Sequence, residues 1–580
     1  MKKASKRTKQ SKPTIWREWR KIFVFGVFTF IAIAIIIRAL YLQYYMTDFL
    51  LEQGDNRFIR HVKNPAIRGT IFDRNNEPIA LSTEVRSIWI DPSILSQNLH
   101  ELPKLSYFLQ RPEEEIRQLV LTRQKSRFYW LKRQLPPHEA RALMAQKIPG
   151  VYDQVEYKRY YPDAEITSHI LGFTDIDDDG IEGVELAYQD WLKGKGTSTR
   201  ILKDAKGRVI ERKEIIDQEN YRESKDLTLT IDRRIQISAY RALKSGMIKH
   251  KATAGSVVVA DMRTGDILAM VNQPAGNPNR LQDRRATLLK NRAITDIFEP
   301  GSTMKPFVVA AGLESGKWRP NSVVKTGRGG YRIGKNLVRD VSSSDSMDVT
   351  TVLMKSSNIG VVRIAESLDP SILYNIYHKI GIGAKSQIRL TGEEPGRLGT
   401  LRRWQVDPFE YATKAYGYGI SVNTLKLAQM YTVFGNAGQY RPLRLVKSDY
   451  YPETTEIFSP RTIEQVLIML EATTDKSRGA GGWRANVPNF RVGGKSGTIR
   501  KIINGKYSST HHRSFYVGVA PISDPQYVVA VMLDEPTKDG YYGGLVAAPI
   551  FSDVMRSTLR IMGTRPDALL DEPNIKLIAK

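Results

Sequence analysis

The sequence predicts an α+β protein in three parts: a single N-terminal transmembrane helix, an elongated mixed α/β pedestal, and a large C-terminal domain in which an antiparallel sheet carries a helical subdomain. Three observations support this prediction. A basic N-terminus runs into an uncharged apolar stretch, residues 50–225 are polar without a repeat, and two β-hairpins flank a long helical region within residues 227–565. Such elements bury their apolar faces by packing in layers. Residues 566–580 are expected to form a C-terminal tail.

The N-terminus predicts a membrane anchor. Residues 1–21 carry nine Lys or Arg and one acid, Glu18, so they supply +8 of the net charge of +26. A solvated tail or a nucleic-acid arm would fit this charge alone. However, residues 22–42 form an apolar stretch that spans roughly 31 Å as a helix, enough to cross a bilayer. No small-x-small cleavage pattern follows, so we expect an uncleaved anchor with its basic tail in the cytoplasm.

Two hairpins define the predicted sheet of the C-terminal domain. Short β-branched runs that are joined by turn residues are typical of such hairpins. The predicted elements are a strand at 227–231, a helix at 234–249, and hairpin strands at 255–260, 267–271, 514–520 and 527–533. The sheet is therefore expected to combine strands from both ends of this segment, with the helical body inserted between them.

The chain contains no cysteine, which excludes disulfides, thiolate nucleophiles and cysteine-ligated metals. A nucleophile would then be Ser, Thr, Lys or a carboxylate. Residues 175–180 match the opening of a calcium loop but lack the Glu at its twelfth position, so a turn is the preferred interpretation. His511 and His512 have no third ligand at a recognisable spacing and are expected in a surface loop. No metal or organic cofactor is predicted.

The first candidate catalytic motif is Ser302-x-x-Lys305, which follows a chain-breaking Pro-Gly pair and precedes an apolar helix. If Ser302 opens that helix, Lys305 lies three residues further on and shares its face. A lysine amine can act as the base for a serine hydroxyl when burial or neighbours lower its pKa. The motif alone is weak evidence, because Ser322-x-x-Lys325 matches it as well.

The second candidate motif is Ser356-x-Asn358, at a predicted break between two helices where its polar groups can face a cleft. A serine hydroxyl can relay a proton, and an asparagine amide can hold both ends of a peptide-like group. A competing match at Ser421 and Asn423 is interpreted as a helix N-cap, because an apolar helix begins at the next residue.

The third candidate motif is Lys495-Ser496-Gly497-Thr498, on a predicted edge strand that faces a cleft. The lysine and the hydroxyls suit a carboxylate. The lack of a side chain at Gly497 is expected to let a ligand approach the backbone. Each motif taken separately fits a structural role, but all three in this order indicate a single active site.

The ordered set resembles that of the penicillin-recognising serine enzymes. Residues 55–565 resemble class B penicillin-binding proteins, most closely the division-specific branch, which is called penicillin-binding protein 3 or FtsI. Residues 68–76 resemble a pedestal motif of this family, with Asn76 where Gly is usual, and a left-handed turn tolerates that exchange. The other segments that carry the resemblance are 180–185, 204–208, 291–302, 416–419 and 541–549.

The resemblance implies a serine β-lactamase-like C-terminal fold and a D,D-transpeptidase that cross-links peptidoglycan stem peptides. It implies that Ser302 attacks the D-Ala–D-Ala bond, that Lys305 is its base, and that Ser356 relays the proton to the leaving amine. The oxyanion hole would be the backbone N–H groups of Ser302 and Thr498. The implied substrate-binding residues are Asn358, Lys495, Ser496 and Thr498. The same serine is expected to be acylated by β-lactam antibiotics.

The resemblance also implies septal cell-wall synthesis at the bacterial inner membrane, with the catalytic domain in the periplasm. The implied partners are a membrane-embedded FtsW-like glycosyltransferase and other division proteins, and nucleic acid is not expected. Two alternatives stay open for the same site: an elongation-specific class B transpeptidase, and a D,D-carboxypeptidase or β-lactamase-type hydrolase that uses water as acceptor. A catalytically inactive scaffold is disfavoured because all three motifs are intact.

Overall fold

The computed structural model describes residues 15–64, 66–194, 197–203, 209–215, 222–342 and 344–568. The chain forms two compact units, of which the anchor unit comprises residues 1–66 and 195–222. The main unit comprises residues 67–194 and 223–580. Three predicted features lie outside the described residues: most of the basic tail (1–14), most of the C-terminal tail (569–580) and the motif at 204–208.

The anchor unit begins with the helix Ile15–Leu40, which continues into a π-helical turn, Tyr41–Tyr45. The stretch Trp19–Tyr45 is long and apolar enough to cross a bilayer, with a mean hydropathy of 2.6. The helix predicted at 22–42 is therefore confirmed, although it begins earlier, and it is compatible with a single-pass membrane anchor. The unit also contains the helix Thr47–Phe58 and an antiparallel sheet of Ile59–Asn64, Thr197–Lys203 and Val209–Ile215, in that spatial order.

The pedestal, residues 67–194, is built on a sheet whose longest strand is Pro78–Ile90. We call it the pedestal sheet. The strands that pair antiparallel with Pro78–Ile90 are Ile71–Phe72, Tyr129–Leu135 and Val151–Tyr160. One face of this sheet packs against helices through buried side chains such as Ile88 and Leu131. The helices of this core are Pro92–Leu95, Leu102–Leu109, Glu113–Thr122 and Pro137–Met144. The pedestal also contains Ser168–Leu171, Gly183–Ala187 and Gln189–Leu192, whose buried side chains belong to another core.

One buried ionic cluster ties separate segments of the pedestal together. The Glu185 carboxylate accepts hydrogen bonds from Arg68 Nε at 2.6 Å and from Arg159 Nε at 2.7 Å, and all three side chains are buried. Removing one partner from such a group leaves a buried charge unpaired, at a cost of about 3–5 kcal/mol. The motif segments 68–76 and 180–185 thus meet in space. Asn76 has a φ of 64°, which is the left-handed turn that the sequence predicts.

The turn predicted at 175–180 is confirmed. Asp175 Oδ1 accepts the backbone N–H groups of Asp177 and Asp179, both at 2.9 Å. The Asp177 carboxylate pairs with Arg133 at 2.8 Å, and the Asp179 carboxylate pairs with Lys193 at 2.6 Å. These carboxylates therefore close the turn and attach it to neighbouring strands and helices.

The C-terminal domain is organised around a second sheet, which we call the large sheet. Its five antiparallel strands, in spatial order, are Ile267–Gln273, Ala254–Asp261, Tyr527–Asp534, Lys506–Ala520 and Gly493–Ile503. Both predicted hairpins are confirmed, and strands from the two ends of the segment lie side by side. Val257 and Val259 face one core, whereas Val258 and Ala260 face the other. Continuous apolar runs of this kind are typical of strands that are covered on both faces.

Helices cover both faces of the large sheet. Arg233–His250, which was expected at 234–249, and Ala548–Ile561 pack on one face. Thr424–Met430 packs on the other, and Lys305–Glu314, which is buried over almost its whole length, lies in the same hydrophobic core among other helices. The remaining helices are Ala286–Leu289, Arg292–Thr295, Val349–Met354, Asn358–Glu366, Pro370–Lys379, Leu401–Val406, Pro408–Ala415, Thr432–Gly435, Pro460–Ala472 and Gly543–Val546.

Two local expectations need correction. The strand predicted at 227–231 is reduced to Leu227–Thr228, which pairs in parallel with Ile71–Phe72 and so belongs to the pedestal sheet. His511 and His512 lie within the strand Lys506–Ala520 and not in a loop. The polar composition around these histidines suggested a loop, but it reflects the first half of the strand, which is largely exposed to solvent. Three small two-stranded sheets complete the domain: Val323–Lys325 with Ser346–Asp348, Gly330–Ile333 with Asn336–Arg339, and Gln439–Tyr440 with Thr455–Glu456.

Candidate active site

Ser302 lies in a tight turn that leads into the buried helix of the C-terminal domain. Residues Gly301–Met304 form one 3₁₀ turn, and the helix Lys305–Glu314 follows at once. Residues three apart lie on the same side of a 3₁₀ turn, so Ser302 and Lys305 share a face, as predicted. Within the described part of the chain, Ser302 Oγ has no hydrogen-bond partner. The hydroxyl is therefore available to a ligand.

The serine turn is held by close backbone packing against the loop that contains Gly417. Gly301 has a φ of 56° and donates its N–H to the Gly417 carbonyl at 3.0 Å. A Cβ atom on Gly417 would lie only 2.1 Å from the Gly301 carbonyl oxygen. The Glu299 carboxylate accepts the N–H of Gly419 at 2.7 Å. The motif segment 416–419 thus positions the serine.

Lys305 is completely buried, and its amine donates three hydrogen bonds into the second motif. The acceptors are the Ser356 carbonyl at 2.5 Å, Ser356 Oγ at 3.1 Å and Asn358 Oδ1 at 2.7 Å. Burial lowers the pKa of Lys305 well below its usual range, and the nearby Lys495 ammonium lowers it further, whereas the Asp340 carboxylate opposes the shift. Such an amine loses its proton far more readily than a surface lysine.

The second motif lies at the break between the helices Val349–Met354 and Asn358–Glu366, as predicted. Ser356 has a φ of 57°. This left-handed conformation costs a non-glycine residue roughly 1–3 kcal/mol, and such residues cluster at active sites. The turn brings both Ser356 Oγ and Asn358 Oδ1 to the Lys305 amine. The sequence motif therefore corresponds to one compact corner of the site.

Asp340 holds this corner in place, although the sequence analysis does not single it out. Its Oδ1 accepts the N–H groups of Asn358 at 2.5 Å and Ile359 at 3.0 Å, and its Oδ2 accepts the Ser357 hydroxyl at 2.5 Å. A carboxylate at a helix N-terminus satisfies N–H groups that lack partners and complements the helix dipole. Asp340 comes from the end of a hairpin, and no spacing rule connects it with Ser-x-Asn.

The third motif lies on Gly493–Ile503, which is an edge strand of the large sheet, as predicted. Lys495 is 3% exposed, its amine donates to the Ser496 carbonyl at 3.1 Å, and burial lowers its pKa to about 8. Ser496 and Thr498 are two positions apart on the strand, so their side chains lie on the same face. Thr498 Oγ1 accepts the N–H of Gly543 at 2.9 Å, which ties the strand to the motif segment at 541–549.

The explanation expected for Gly497 is wrong. A Cβ atom on Gly497 would lie 1.9 Å from Cε2 of Phe515, the residue opposite it on the neighbouring strand. The aromatic ring fills that space, so packing and not ligand approach requires the glycine. The same ring lies beside Gly301, where a Cβ would be 3.7 Å from Phe515 Cζ and 2.9 Å from Ile499 Cγ2. The serine turn and the edge strand are therefore in direct contact.

An aromatic rim lies next to the third motif. The His512 ring stacks on Tyr541 with centroids 3.9 Å apart, and Tyr541 lies 4.8 Å from Tyr542. Ser514, which is opposite Thr498, donates its hydroxyl to the Tyr541 carbonyl. The resemblance had marked the segment 541–549, but its stacking against the strand residue His512 could be seen only in the structure.

The competing motifs play other roles. Asn423 caps the helix Thr424–Met430 by accepting the N–H of Lys426 at 2.7 Å, as predicted. Ser322 precedes the short strand Val323–Lys325 and not a helix. Because side chains in a strand alternate between faces, this Ser-x-x-Lys pair does not share one face as a helical pair does.

Comparison with known proteins identifies the family. Residues 255–556 match the penicillin binding protein transpeptidase domain, and residues 63–229 match the penicillin-binding protein dimerisation domain. The chain therefore belongs to the class B penicillin-binding proteins. It is FtsI-like, and its activity is that of a peptidoglycan D,D-transpeptidase.

Similar proteins match along almost the entire chain. A probable peptidoglycan D,D-transpeptidase PbpC from Pseudomonas aeruginosa is 39% identical over 96% of this chain and 98% of its own. PenA from Neisseria gonorrhoeae, also named a probable peptidoglycan D,D-transpeptidase, is 37% identical over 98% and 97% of the two chains. The peptidoglycan D,D-transpeptidase FtsI from Escherichia coli is 35% identical over 98% and 96%.

Two solved structures agree with this architecture. The transpeptidase domain of penicillin-binding protein 3 from Burkholderia pseudomallei is 37% identical and covers 58% of this chain and 97% of its own, with a TM-score of 0.54. A peptidoglycan synthetase from Bifidobacterium adolescentis is 22% identical and covers 88% of this chain and 98% of its own, with a TM-score of 0.70. The second match shows the fold alone.

We predict that Gly417→Ala destabilises the protein by at least about 2 kcal/mol more than Gly334→Ala. Both glycines have positive φ values, 81° and 56°, but only Gly417 has backbone atoms where the new Cβ would lie, whereas Gly334 has nothing within 4 Å. The control substitution therefore adds only backbone strain. Thermal unfolding of the two variants measures the difference, and equal stability would show that the turn can move away from Gly417.

Proposed function

We propose that Ser302 forms an acyl-enzyme with the donor stem peptide and that Lys305 is its base. The observation that carries this proposal is the buried Lys305 amine, which Ser356 and Asn358 hold by hydrogen bonds at 2.5–3.1 Å. Because burial lowers its pKa well below the usual range of a lysine, the amine gives up its own proton more readily and can then accept one from a hydroxyl. Ser302, one 3₁₀ turn earlier, is the hydroxyl on the same face.

In the acylation step, Ser302 Oγ attacks the carbonyl carbon of the penultimate D-Ala while its proton passes to Lys305 Nζ. The negative charge on the carbonyl oxygen is stabilised by the backbone N–H groups of Ser302 and Thr498, and one such donor is worth about 2.7–4 kcal/mol. Lys305 then returns its proton through Ser356 Oγ to the leaving nitrogen. The C–N bond breaks, D-Ala leaves, and the acyl group stays on Ser302.

In the transfer step, the amine of an acceptor stem peptide attacks the ester carbon. It loses a proton to Lys305, the ester C–O bond breaks, and Lys305 returns that proton to Ser302 Oγ. Before acylation, Asn358 holds the donor peptide amide, and Lys495, Ser496 and Thr498 bind the terminal carboxylate of the donor. The charged Lys495 supplies the attraction, because an ammonium paired with a carboxylate forms a strong, charge-assisted hydrogen bond.

A β-lactam would acylate Ser302 by the same route. Its leaving nitrogen remains part of the acylated molecule, so it cannot diffuse away as D-Ala does. The acceptor is then kept from the ester, and the enzyme stays blocked. A D,D-carboxypeptidase or β-lactamase outcome would instead require water to resolve the ester efficiently.

The membrane topology and the cellular role complete the proposal. The basic residues before the apolar helix support a cytoplasmic N-terminus, a periplasmic catalytic domain and an anchor in the bacterial inner membrane. The similarity to FtsI supports a role in septal wall synthesis, with an FtsW-like glycosyltransferase and other division proteins as partners. The elongation-specific role is the competing assignment.

Ser302→Ala is expected to abolish covalent labelling by a fluorescent penicillin, because no other hydroxyl lies one 3₁₀ turn before the buried amine. The matched control is Ser322→Ala, which removes the serine of the competing Ser-x-x-Lys match and should label like the wild type. Labelling is read from a denaturing gel. Retained labelling of Ser302→Ala in a folded protein would refute the nucleophile assignment.

The rate constant of acylation should show a bell-shaped dependence on pH. It rises as Lys305 loses its proton, at a pH well below the usual range of a lysine, and falls above about pH 8 as Lys495 loses its charge. The variant Lys495→Arg keeps a positive charge at every accessible pH and should lose the falling limb. Stopped-flow acylation from pH 5 to about pH 10 measures both limbs, and an unchanged falling limb in Lys495→Arg contradicts the assignment.

Depletion of the protein in its own bacterium should produce filaments, and a fluorescent fusion should collect at the division site. Both results follow from a septal role, because elongation continues while division stops. Rounded cells with uniform lateral fluorescence would assign the protein to elongation instead. Microscopy of depleted cells that express either the wild type or Ser302→Ala separates the loss of activity from the loss of the protein.

A further inference from the structure

A groove with a volume of about 750 Å³ lies beside the segment that leads into the third motif. Residues 473–492 form this segment and connect the helix Pro460–Ala472 to the edge strand Gly493–Ile503. The apolar side chains that line the groove include Ile468, which is 56% exposed, and Phe490. The groove therefore offers apolar surface to a further piece of polypeptide.

Positive charge surrounds this apolar surface. Lys476, Arg478 and Arg484 are exposed, and within the described residues no carboxylate forms an ion pair with any of them. Lys476 and Arg484 instead lie against the Trp483 ring, 4.7 Å and 4.4 Å from its centroid. We call this surface the basic groove, and its members are Ile468, Lys476, Arg478, Trp483, Arg484 and Phe490.

The acids beside the basic groove already have partners. The Glu471 carboxylate accepts two hydrogen bonds from the Arg491 guanidinium, both at 2.7 Å. The Asp475 carboxylate accepts the backbone N–H of Ser477 at 2.8 Å and its hydroxyl at 2.6 Å. The four cations and two acids among the described lining residues leave a net charge of +2. An acidic segment would complement this charge.

The last described residue of the chain, Ala568, lies in this groove, and its N–H donates to the Asn489 carbonyl at 3.2 Å. Asp567 fixes the approach, because its carboxylate accepts the N–H groups of Arg491 at 2.7 Å and Ser523 at 3.1 Å. Two apolar residues and then two acids follow in the sequence: Leu569, Leu570, Asp571 and Glu572. This composition matches the apolar floor and the cations of the basic groove.

We propose that residues 569–572 of the same chain bind in the basic groove, with the leucines against Ile468 and Phe490 and the acids against the cations. Arginine clusters are a recurrent recognition surface for acidic motifs. Four extended residues span at most about 14 Å, which is enough because they start from a groove residue. Exposed ion pairs are individually weak, but attachment to Ala568 raises the effective concentration of the segment, often to the millimolar range.

A segment bound there would support two motifs of the active site from outside. The Thr473 hydroxyl donates to the Gly494 carbonyl at 2.5 Å, which fixes the wall of the groove to the edge strand of the third motif. Lys355, the residue before Ser356, donates to the Gly479 carbonyl at 3.0 Å. The wall of the groove thus contacts the second and third motifs, and the bound segment acts as a positioning element.

The test uses a fluorescent label in full-length protein in detergent. The chain contains no cysteine, so Pro573→Cys takes up a single thiol-reactive bimane. Tryptophan quenches bimane on contact, and we expect Trp483 to quench this label. Adding Trp483→Phe should restore the fluorescence, because phenylalanine keeps an aromatic ring in the groove but does not quench.

Charge reversal tests the pairing itself. In the labelled protein, Arg478→Glu/Arg484→Glu should relieve the quenching, because like charges then face each other. Adding Asp571→Lys/Glu572→Lys to that variant should restore the quenching, because the pairs form again with opposite signs. The matched control is Lys385→Glu/Arg402→Glu, which reverses two exposed cations outside the groove and should stay quenched.

Thermal unfolding shows whether each variant is folded, and if the double reversal is unfolded, Arg478→Glu with Asp571→Lys replaces it. A label that is not quenched in folded Pro573→Cys would overturn the proposal, and so would failure of the compensating reversal to restore quenching. Quenching of a labelled Trp483→Phe chain by added unlabelled wild type would place the segment on a second copy and would overturn it too.

The positioning role has its own readout. A chain that ends at Ala568 should be acylated by penicillin several-fold more slowly, and a synthetic peptide of residues 569–580 should restore the rate. A chain that ends at Asn574 keeps the four residues and should react like the wild type. An unchanged rate in the shorter chain would refute the positioning role. If Ser302 were not the nucleophile, the fluorescence results would still stand, because they do not depend on acylation.

Discussion

The burial of one lysine amine is the constraint on which the rest of the active site depends. A charged amine without partners is too costly in an apolar interior, so Lys305 needs either acceptors or a lowered pKa, and it has both. Its acceptors come from Ser356 and Asn358, on a corner that Asp340 fixes at the start of a helix. The first two motifs are thus tied by a single requirement, which is to keep this buried amine hydrogen-bonded, and the third acts on it through the charge of Lys495.

The sequence predicted those parts of the site that have a local signature. Ser-x-x-Lys, Ser-x-Asn and Lys-Ser-Gly each keep a fixed spacing, and the hairpins of the large sheet are short apolar runs around turns, so all of them could be found without a structure. Asp340 and the ring of Phe515 could not be found, because each acts on a residue far away in the chain. The segment that contains Gly417 was marked by the resemblance, but its contact with Gly301 could be seen only in the structure. Gly497 shows the limit of sequence analysis most clearly. Its place in the motif was predicted correctly, but the ring that requires a glycine there belongs to Phe515 on the neighbouring strand.

In the pedestal too, the sequence predicts the local motifs, whereas only the structure shows the contacts between them. Its motif segments could be recognised, but their physical purpose appears only where Glu185 joins Arg68 and Arg159 in one buried cluster. Those two arginines come from distant segments, and the cluster fixes how the strands and the short helices assemble. The helix-covered face of the pedestal sheet then needs apolar residues alone, and the opposite face can carry a different composition. The stacked rings of Trp89 and Tyr152 lie on that second face.

The two lysines of the site illustrate how burial and a neighbouring charge can suit two lysines to different roles. Lys305 is the more strongly shifted, because it is buried and also faces the charge of Lys495, whereas burial alone lowers the pKa of Lys495, to about 8. The lowered pKa of Lys305 suits a base, and the charge that Lys495 keeps below about pH 8 suits a carboxylate anchor. When Lys305 takes the serine proton in the proposed mechanism, the same repulsion makes it a stronger acid toward the leaving amine. The interaction that prepares the base therefore also helps to return the proton.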